Sequence, residues 1–335
     1  MVMQSSTHRK HLPPTYWGKS MNCHVQALAT AYDSVFAAVD LWLLDVLTSV
    51  PFGVVYREKD ANRVLDCYID PDVGLDRALL ALHVAFEVNW WDATVDAATP
   101  IGQLENWSAT GPVVLGPLDM GNLPYLFRSE IYSGIDHYVV VTEVEQGRIW
   151  LSDPEGVPCA QVTAEKLLPA WRASSVPEGR GAYMMRRIVP QDPCHCDASA
   201  LVCALEYAAD NLRGAQEQPR GGVHGLIAMA QEEEQIINEP SLRRGLTYVL
   251  PAKSQRSLAG LRFLQMLGVM PSLPLPDSLL SEGIALLQEQ ANECADVLGC
   301  LSEASPHPLQ GLRRVALLEK QLTDVFTALA RSIST

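Results

Sequence analysis

The stretch Asn22-Cys23-His24-Val25 opens a long apolar run that extends to about residue 50. Apolar side chains recur there at helical spacing and Asn22 can act as a cap, so we predict one helix over residues 22–50. A cysteine at a helix start lies at the positive end of the helix dipole, which lowers the pKa of its thiol. Cys23 is therefore our candidate nucleophile, although most single cysteines are small buried apolar residues.

Two strands rich in Val, Ile, Tyr and Trp follow at residues 137–145 and 148–153, joined by the tight turn Gln146-Gly147. The first strand begins with His137, which we predict to be the general base for Cys23. The second ends with Asp153, which would orient and stabilise the imidazole. A two-residue turn places these two side chains on opposite faces of the hairpin. We therefore expect a bulge or a three-residue turn if both serve the same site.

Other residues near these positions are candidates for supporting roles. His24 competes with His137 as a base, but adjacent helical residues point about 100° apart, so we expect it to be poorly placed for Cys23. The backbone amide of Cys23 and the side chain of Asn22 are candidate oxyanion donors. The remaining candidates could line the substrate pocket, although turns and core packing explain them equally well: Trp17, Asp119, Tyr125 and Trp150.

Composition limits the classes of partner. The chain has 335 residues and a formal net charge of −14, which argues against binding to nucleic acid or to an anionic membrane. We find no uninterrupted apolar segment of about 18 residues and no signal-peptide core, so we expect a cytoplasmic protein whose cysteines are reduced thiols. The isolated Cys194-His195-Cys196 lacks a second ligand pair, so we predict no metal and no cofactor.

The predicted secondary structure changes at Pro190-Gln191-Asp192-Pro193. Strand and helix signals alternate before this point, and nearly all later segments have helical periodicity. We therefore predict an α+β domain over residues 1–190 and an all-helical domain over residues 191–335. The helical domain carries no catalytic constellation, and it could pack on the first domain, cover the cleft or form a homodimer.

The order of these motifs resembles the family of the butirosin biosynthesis protein H, over roughly residues 15–190. The matching pieces are Asn22-Cys23 with Leu28, Val113-Val114, Asp119, Leu123-Pro124-Tyr125, His137 to Val141, Leu151 to Pro154 and Val162 to Trp171. Gly221 to Leu226 resembles the helical extension of that family. The chain departs from the pattern at Asn22, where we expect His, at Asp136, where we expect Gly, and at Trp17, where papain-type enzymes carry an oxyanion Gln.

The resemblance implies a papain-like catalytic domain with a helical extension, acting in natural-product (antibiotic) biosynthesis. It implies an acyltransferase with a Cys23, His137 and Asp153 triad. Cys23 would take an acyl group from a carrier-protein thioester and pass it to a small-molecule amine, or to an internal nucleophile in a cyclisation. Two alternatives remain open. The same triad could serve a thioesterase or a peptidase, or the chain could be a non-catalytic papain-like scaffold that binds a synthetase or carrier protein.

Overall fold

The protein is described here by a computed structural model, which covers residues 16, 22–59, 62–127, 129–176, 179–214, 225–227, 240–302 and 308–333. The chain divides into two compact units. The first unit lies within Met1–Leu41 and Pro71–His195, and the second lies within Trp42–Asp70 and Cys196–Thr335. This division differs from the predicted domains 1–190 and 191–335, because an early segment of the chain joins the second unit.

The first unit is a mixed α/β structure built on one antiparallel sheet of six strands. The strands are β3 (Phe86–Trp91), β4 (Val113–Asp119), β5 (Asp136–Glu145), β6 (Arg148–Asp153), β7 (Val157–Thr163) and β8 (Ala182–Ile188), in the spatial order β3-β8-β4-β5-β6-β7. Its helices are α1 (Cys23–Ala31), α3 (Pro71–Ala81), α4 (Ala98–Ser108) and α5 (Ala164–Arg172). The predicted strands at 137–145 and 148–153 are confirmed.

The two faces of this sheet bury different kinds of side chain. One face is apolar, and its Leu115, Val139 and Leu151 share a core with Trp107 of α4 and Trp171 of α5. Helices α1 and α3 pack on the sheet as well, where α1 contacts β5 and α3 contacts β4. Strand alternation places Tyr138 on the face opposite Val139. His137, two residues before Val139 on β5, lies on the same face as Val139.

The predicted single helix over residues 22–50 is wrong. Helix α1 ends at Ala31, residues 32–39 form successive turns, and α2 covers Leu41–Thr48 in the second unit. Asp33 and Ser34 at the break have short polar side chains that compete for backbone hydrogen bonds and favour turns. The predicted cap is wrong too, because the side chain of Asn22 makes no capping hydrogen bond to α1. The helix does begin at Cys23, as predicted.

The second unit contains a β-hairpin in addition to its helices, whereas the described elements within residues 191–335 are all helices, as predicted. Strands β1 (Val54–Lys59) and β2 (Asn62–Cys67) accompany helices α2, α6 (Ala198–Arg213), α7 (Pro240–Gly268), α8 (Asp277–Ser302) and α9 (Pro308–Ile333). Val54 and Tyr56 of β1 are buried in one core with Leu250 and Leu312. Residues 223–237 are one of the segments whose periodicity predicts a helix, and most of them lie outside the described residues.

None of the helices within the described ranges is long and apolar enough to cross a membrane.

Gly116 allows β4 to pack closely against the strand that carries His137. Gly116 has a φ of +152°, and a Cβ atom at this position would lie 2.3 Å from the Cδ1 atom of Tyr138 and 2.8 Å from the carbonyl oxygen of His137. The pairing of β4 with β5 shifts register between Leu115 and Leu118. A residue without a side chain is therefore required where β4 passes His137 and Tyr138.

We expect Gly116→Ala to lower the free energy of unfolding by roughly 2–4 kcal/mol, because backbone strain adds to a clash with the Tyr138 ring. Urea titration followed by circular dichroism measures the change. Gly147→Ala is the matched control, since Gly147 also has a positive φ of +73° but an added Cβ meets nothing within 4 Å. We expect the control to lose only about 1 kcal/mol. Equal losses in the two variants would contradict the close-packing argument.

Candidate active site

Cys23, His137 and Asp153 come together in the first unit. The Nε2 atom of His137 lies 2.7 Å from Oδ1 of Asp153, and both side chains are buried. The imidazole is also hydrogen-bonded to the thiol of Cys23, which is partly exposed at the start of α1. Because Nε2 faces the carboxylate, the other ring nitrogen, Nδ1, is the atom available to exchange a proton with the Cys23 sulfur. This is the arrangement of a nucleophile, its base and the group that orients the base.

A bulge in β5 makes the contact between His137 and Asp153 possible. The turn at Gln146-Gly147 is the tight two-residue turn that the sequence predicts, with φ values of 51° and 73°. Pairing then runs regularly as far as Glu143 and Trp150, but the next pair is Val141 with Leu151. Thr142 is the extra residue, and it shifts the register of the hairpin by one position.

The shifted register decides which face Asp153 occupies. By continuation of the pairing beyond Val140 and Ser152, Asp153 lies opposite Val139. Val139 is two residues from His137 and points to the same face. The bulge that we expected from the sequence is therefore present, and without it Asp153 would point away from the imidazole.

The charges of the three groups support one another. Burial acts to raise the pKa of the Cys23 thiol, but the charge of His137, with hydrogen bonds from His137 and His24, outweighs burial and leaves this pKa below its ordinary value. Burial acts to lower the pKa of His137, whereas the charges of Asp153 and Cys23 hold it well above its ordinary value. The site therefore favours a thiolate beside an imidazolium, which is the reactive form of such a pair.

Asp153 is held rigidly by several donors. The hydroxyl of Tyr125 donates to Oδ2 at 2.7 Å, and the backbone N–H of Glu155 donates to Oδ1 at 2.7 Å. The hydroxyl of Tyr16 donates to the backbone carbonyl of Asp153 at 2.9 Å. Burial acts to raise the pKa of the carboxyl, but the charge of His137 and the hydrogen bonds from His137, Glu155 and Tyr125 lower it below its ordinary value. Tyr125 therefore joins the site through Asp153.

Asp119 organises the loop that carries Tyr125. The carboxylate of Asp119 is buried and accepts hydrogen bonds from the N–H groups of Gly121 at 2.9 Å and Gly134 at 3.0 Å, and from the side-chain amide of Asn122 at 2.8 Å. Ser175 donates to the same carboxylate. Its oxygens are thus used to shape the connection between β4 and β5, which is the turn role that the sequence left open for this residue.

The three remaining candidates for the pocket or the oxyanion site are Trp150, Asn22 and Trp17. Trp150 lies three positions before Asp153 on β6, so strand alternation puts its side chain on the opposite face. Asn22 is buried immediately before Cys23, and its carbonyl accepts the first helical hydrogen bond, from Gln26 at 3.1 Å. Trp17 lies outside the described residues. Of the two described residues, Asn22 directly precedes the nucleophile in the chain.

His24 is the site residue that sequence reasoning dismissed wrongly. Its imidazole is buried, packs edge-on against the Tyr138 ring at a centroid distance of 6.0 Å, and is hydrogen-bonded to the Cys23 thiol. The angular argument assumed that both side chains must project straight from the helix. At the first turn, the thiol lies at the open end of α1, where the neighbouring ring can reach back to it. The position of His24 directly after Cys23 was the feature of the sequence that indicated a role for it at the site.

Within the described ranges, no group of three or more His, Cys, Asp or Glu side chains is arranged to hold a metal ion. In the Cys194-His195-Cys196 motif, the thiol and the backbone N–H of Cys194 both donate to the carbonyl of Val35, at 3.2 Å and 2.8 Å. This part of the motif ties the end of the first unit to the turns that follow α1.

Comparison with known proteins gives one partial match. No family model matches the chain. The chain is 30% identical over 166 residues to the uncharacterized protein YobF of Bacillus subtilis (strain 168). The match covers 50% of this chain and 53% of that protein, so the chain spans about half the length of this relative. The similarity assigns no activity to the chain.

The charge arrangement predicts how alkylation of Cys23 depends on pH. Iodoacetamide reacts with the thiolate, so in the wild type its rate at Cys23 should reach half its maximum below pH 9.0, the ordinary pKa of the thiol. In Asp153→Asn the imidazolium loses its carboxylate, the thiolate loses its cationic partner, and the midpoint should rise. We expect the rate at pH 7 to fall by about tenfold.

Peptide mass spectrometry measures this labelling site by site, with the exposed thiol of Cys159 as the internal reference in each sample. Circular dichroism of Asp153→Asn shows whether the variant is folded. An unchanged pH profile at Cys23 in a folded Asp153→Asn variant would contradict the coupling of Asp153 to the nucleophile through His137.

Proposed function

We propose that the first unit is a papain-like cysteine acyltransferase that forms an acyl-Cys23 intermediate. The observation that carries this proposal is the contact of Cys23 with His137, whose other nitrogen lies 2.7 Å from buried Asp153. The order of the parts supports the papain-like assignment: a cysteine at a helix start, a histidine on a strand of an antiparallel sheet and a carboxylate on the next strand. The resemblance to the butirosin biosynthesis protein H family supports transfer as the reaction.

In the first step, the Cys23 thiolate attacks the carbonyl carbon of a carrier-protein thioester. The new bond joins Sγ to the acyl carbon, the bond to the carrier sulfur breaks, and the His137 imidazolium gives its proton to the leaving thiolate. Negative charge develops on the carbonyl oxygen. The amide of Cys23 is a suitable donor for it, because the helical ladder starts only at the bond from Gln26 to Asn22.

In the second step, an amine attacks the thioester on Cys23 and becomes acylated. His137 is neutral after the first step, and it accepts a proton from the attacking nitrogen as the bond to Sγ breaks. The electron pair returns to sulfur, and the thiolate and imidazolium are restored. Burial of His137 and Asp153 limits the access of water to the base, which favours an amine over hydrolysis.

Covalent transfer predicts a mass adduct on the wild-type protein. We expect incubation with acyl thioesters of a carrier protein or a small thiol to add one acyl group to the intact protein, and an amine to discharge it. Cys23→Ala should show no adduct. Cys159→Ala, which removes an exposed thiol elsewhere in the same unit, should behave as the wild type.

The other outcomes of this experiment separate the alternatives. Discharge by water at the same rate with and without amines would establish a thioesterase or peptidase rather than a transferase. Absence of an adduct with every donor, while Cys23 is still alkylated rapidly near neutral pH, would overturn the proposal of acyl transfer from these thioesters. An adduct that persists in Cys23→Ala would show that another residue is the nucleophile.

A further inference from the structure

The two oxygens of the Asp153 carboxylate have different partners. Oδ1 lies 2.7 Å from Nε2 of His137 and also accepts the backbone N–H of Glu155 at 2.7 Å. Oδ2 accepts the hydroxyl of Tyr125 at 2.7 Å. Asp153 is completely buried, so Tyr125 provides the hydrogen bond that water would give to an exposed carboxylate. The carboxylate that orients the base therefore shares its charge with a second side chain.

The loop between β4 and β5 fixes the position of Tyr125. Residues 123–126 form a turn that is closed by a backbone hydrogen bond of 3.3 Å. The Tyr125 side chain packs against the apolar core of the sheet. The carboxylate of Asp119 accepts the N–H groups of Gly121 and Gly134, near the two ends of this loop. The ring is thus held by packing and by the loop, so a phenylalanine can occupy the same place without the hydroxyl.

The hydroxyl of Tyr125 acts as a donor to Asp153. Burial holds the pKa of Tyr125 well above its ordinary value of 10.0, and the charge of Asp153 and the hydrogen bond raise it further. The phenol is therefore protonated near neutral pH. Its hydrogen bond contributes to the lowered pKa of Asp153. A carboxylate that is a weaker base is also a weaker partner for the imidazolium of His137.

The other titratable side chains around the triad act on it by different routes. Together with Tyr125, the set consists of Tyr16, His24 of α1, Asp136 and Tyr138 of β5, and Glu155 after β6. Tyr16 donates to the backbone carbonyl of Asp153, and Glu155 donates through its backbone N–H. His24 and Asp136 affect the thiol of Cys23. Within this set, Tyr125 is the residue whose side chain bonds to the carboxylate of Asp153.

We propose that the Tyr125 hydroxyl weakens the hold of Asp153 on the proton of His137, so that the imidazole can release and accept this proton during acyl transfer. This inference rests on the proposed acyl transfer and adds to it a control of the base. Tyr125 is a positioning residue, because it acts on His137 through Asp153. Its hydroxyl has this effect in addition to the support that the ring gives to the site.

The second step of the transfer is the one that depends most on this control. Asp153 and Cys23 together hold the pKa of His137 well above its ordinary value. Acylation removes the charge of the thiolate, whereas the carboxylate keeps its charge. His137 must then be neutral to accept the proton of the attacking amine. A carboxylate without the hydrogen bond from Tyr125 would keep more of the imidazole protonated and would slow this step.

NMR titration of His137 tests the inference without any acyl donor. Cys23→Ala removes the charge of the thiolate, and the imidazole signal that disappears when His137→Gln is added identifies the ring. In the Cys23→Ala protein, we expect Tyr125→Phe to raise the pKa of His137 by about 1, a tenfold change in proton affinity. A purely structural role of Tyr125 predicts the opposite sign, because a displaced Asp153 stabilises the imidazolium less.

Tyr16→Phe is the matched control, because it removes a hydroxyl that donates to Asp153 at 2.9 Å, but to its backbone carbonyl. We expect this variant not to raise the pKa of His137. An unchanged or lowered pKa in Tyr125→Phe, or an equal rise in Tyr16→Phe, would overturn the inference.

Replacement of Tyr125 by 3-fluorotyrosine tests the same inference with the ring and the hydroxyl retained, so it also serves if Tyr125→Phe does not fold. The fluorinated hydroxyl is a stronger donor, and we expect it to lower the pKa of His137. A rise would contradict the proposed role of the hydroxyl.

Discharge of acyl-Cys23 extends the test to the reaction. With methoxyamine, which is neutral near pH 7, the pH profile of discharge follows the neutral form of His137. We expect Tyr125→Phe to move the midpoint to higher pH, with a rate about tenfold lower below it and little change above it. Equal slowing at every pH would overturn the inference. Failure to form any acyl-Cys23 would refute the proposed function instead, and the NMR titration would still decide the role of Tyr125.

Discussion

The hydrogen bond between His137 and Asp153 is the interaction on which the rest of the site depends. It joins two strands, fixes Nε2 of the imidazole on the carboxylate and leaves Nδ1 for the sulfur of Cys23. Both groups are buried, so their attraction is weakly screened, and the carboxylate can keep the imidazole protonated next to a thiolate. The imidazolium is stabilised by the charges of both the carboxylate and the thiolate, which is why three ionisable residues can share one small region.

Much of the surrounding structure keeps this bond in place. Tyr125 donates to the second oxygen of Asp153. The loop that carries Tyr125 is held by backbone hydrogen bonds to the carboxylate of Asp119. Behind the strands, Val139 and Leu151 belong to the apolar core that fixes the sheet. Helix α1 then presents Cys23 at its first position, with every residue from His24 to Ala31 buried. A rigid support on both sides of β5 allows short distances at the site to be maintained.

Local signals predicted strands β5 and β6, the hairpin turn, the C-terminal helices and the start of α1, because each depends on residues that are near in sequence. The predictions that failed involve contacts between distant segments. The helix predicted over residues 22–50 ends at Ala31 and α2 belongs to the second unit, whose core also buries Val54 and Tyr56 of β1. His24 was missed because its approach to the thiol depends on the packing of its ring against Tyr138.

The sequence by itself determined the chemical groups of the candidate site and their order, since a cysteine at a helix start and a two-residue turn between strands are local features. It also showed that a regular hairpin would separate His137 from Asp153. Only the tertiary structure decided that they meet, through the bulge at Thr142 that places Asp153 opposite Val139. The helix start predicted a lowered pKa for Cys23, but the causes in the structure are tertiary, because burial is outweighed by the charge of His137 and by hydrogen bonds from His137 and His24.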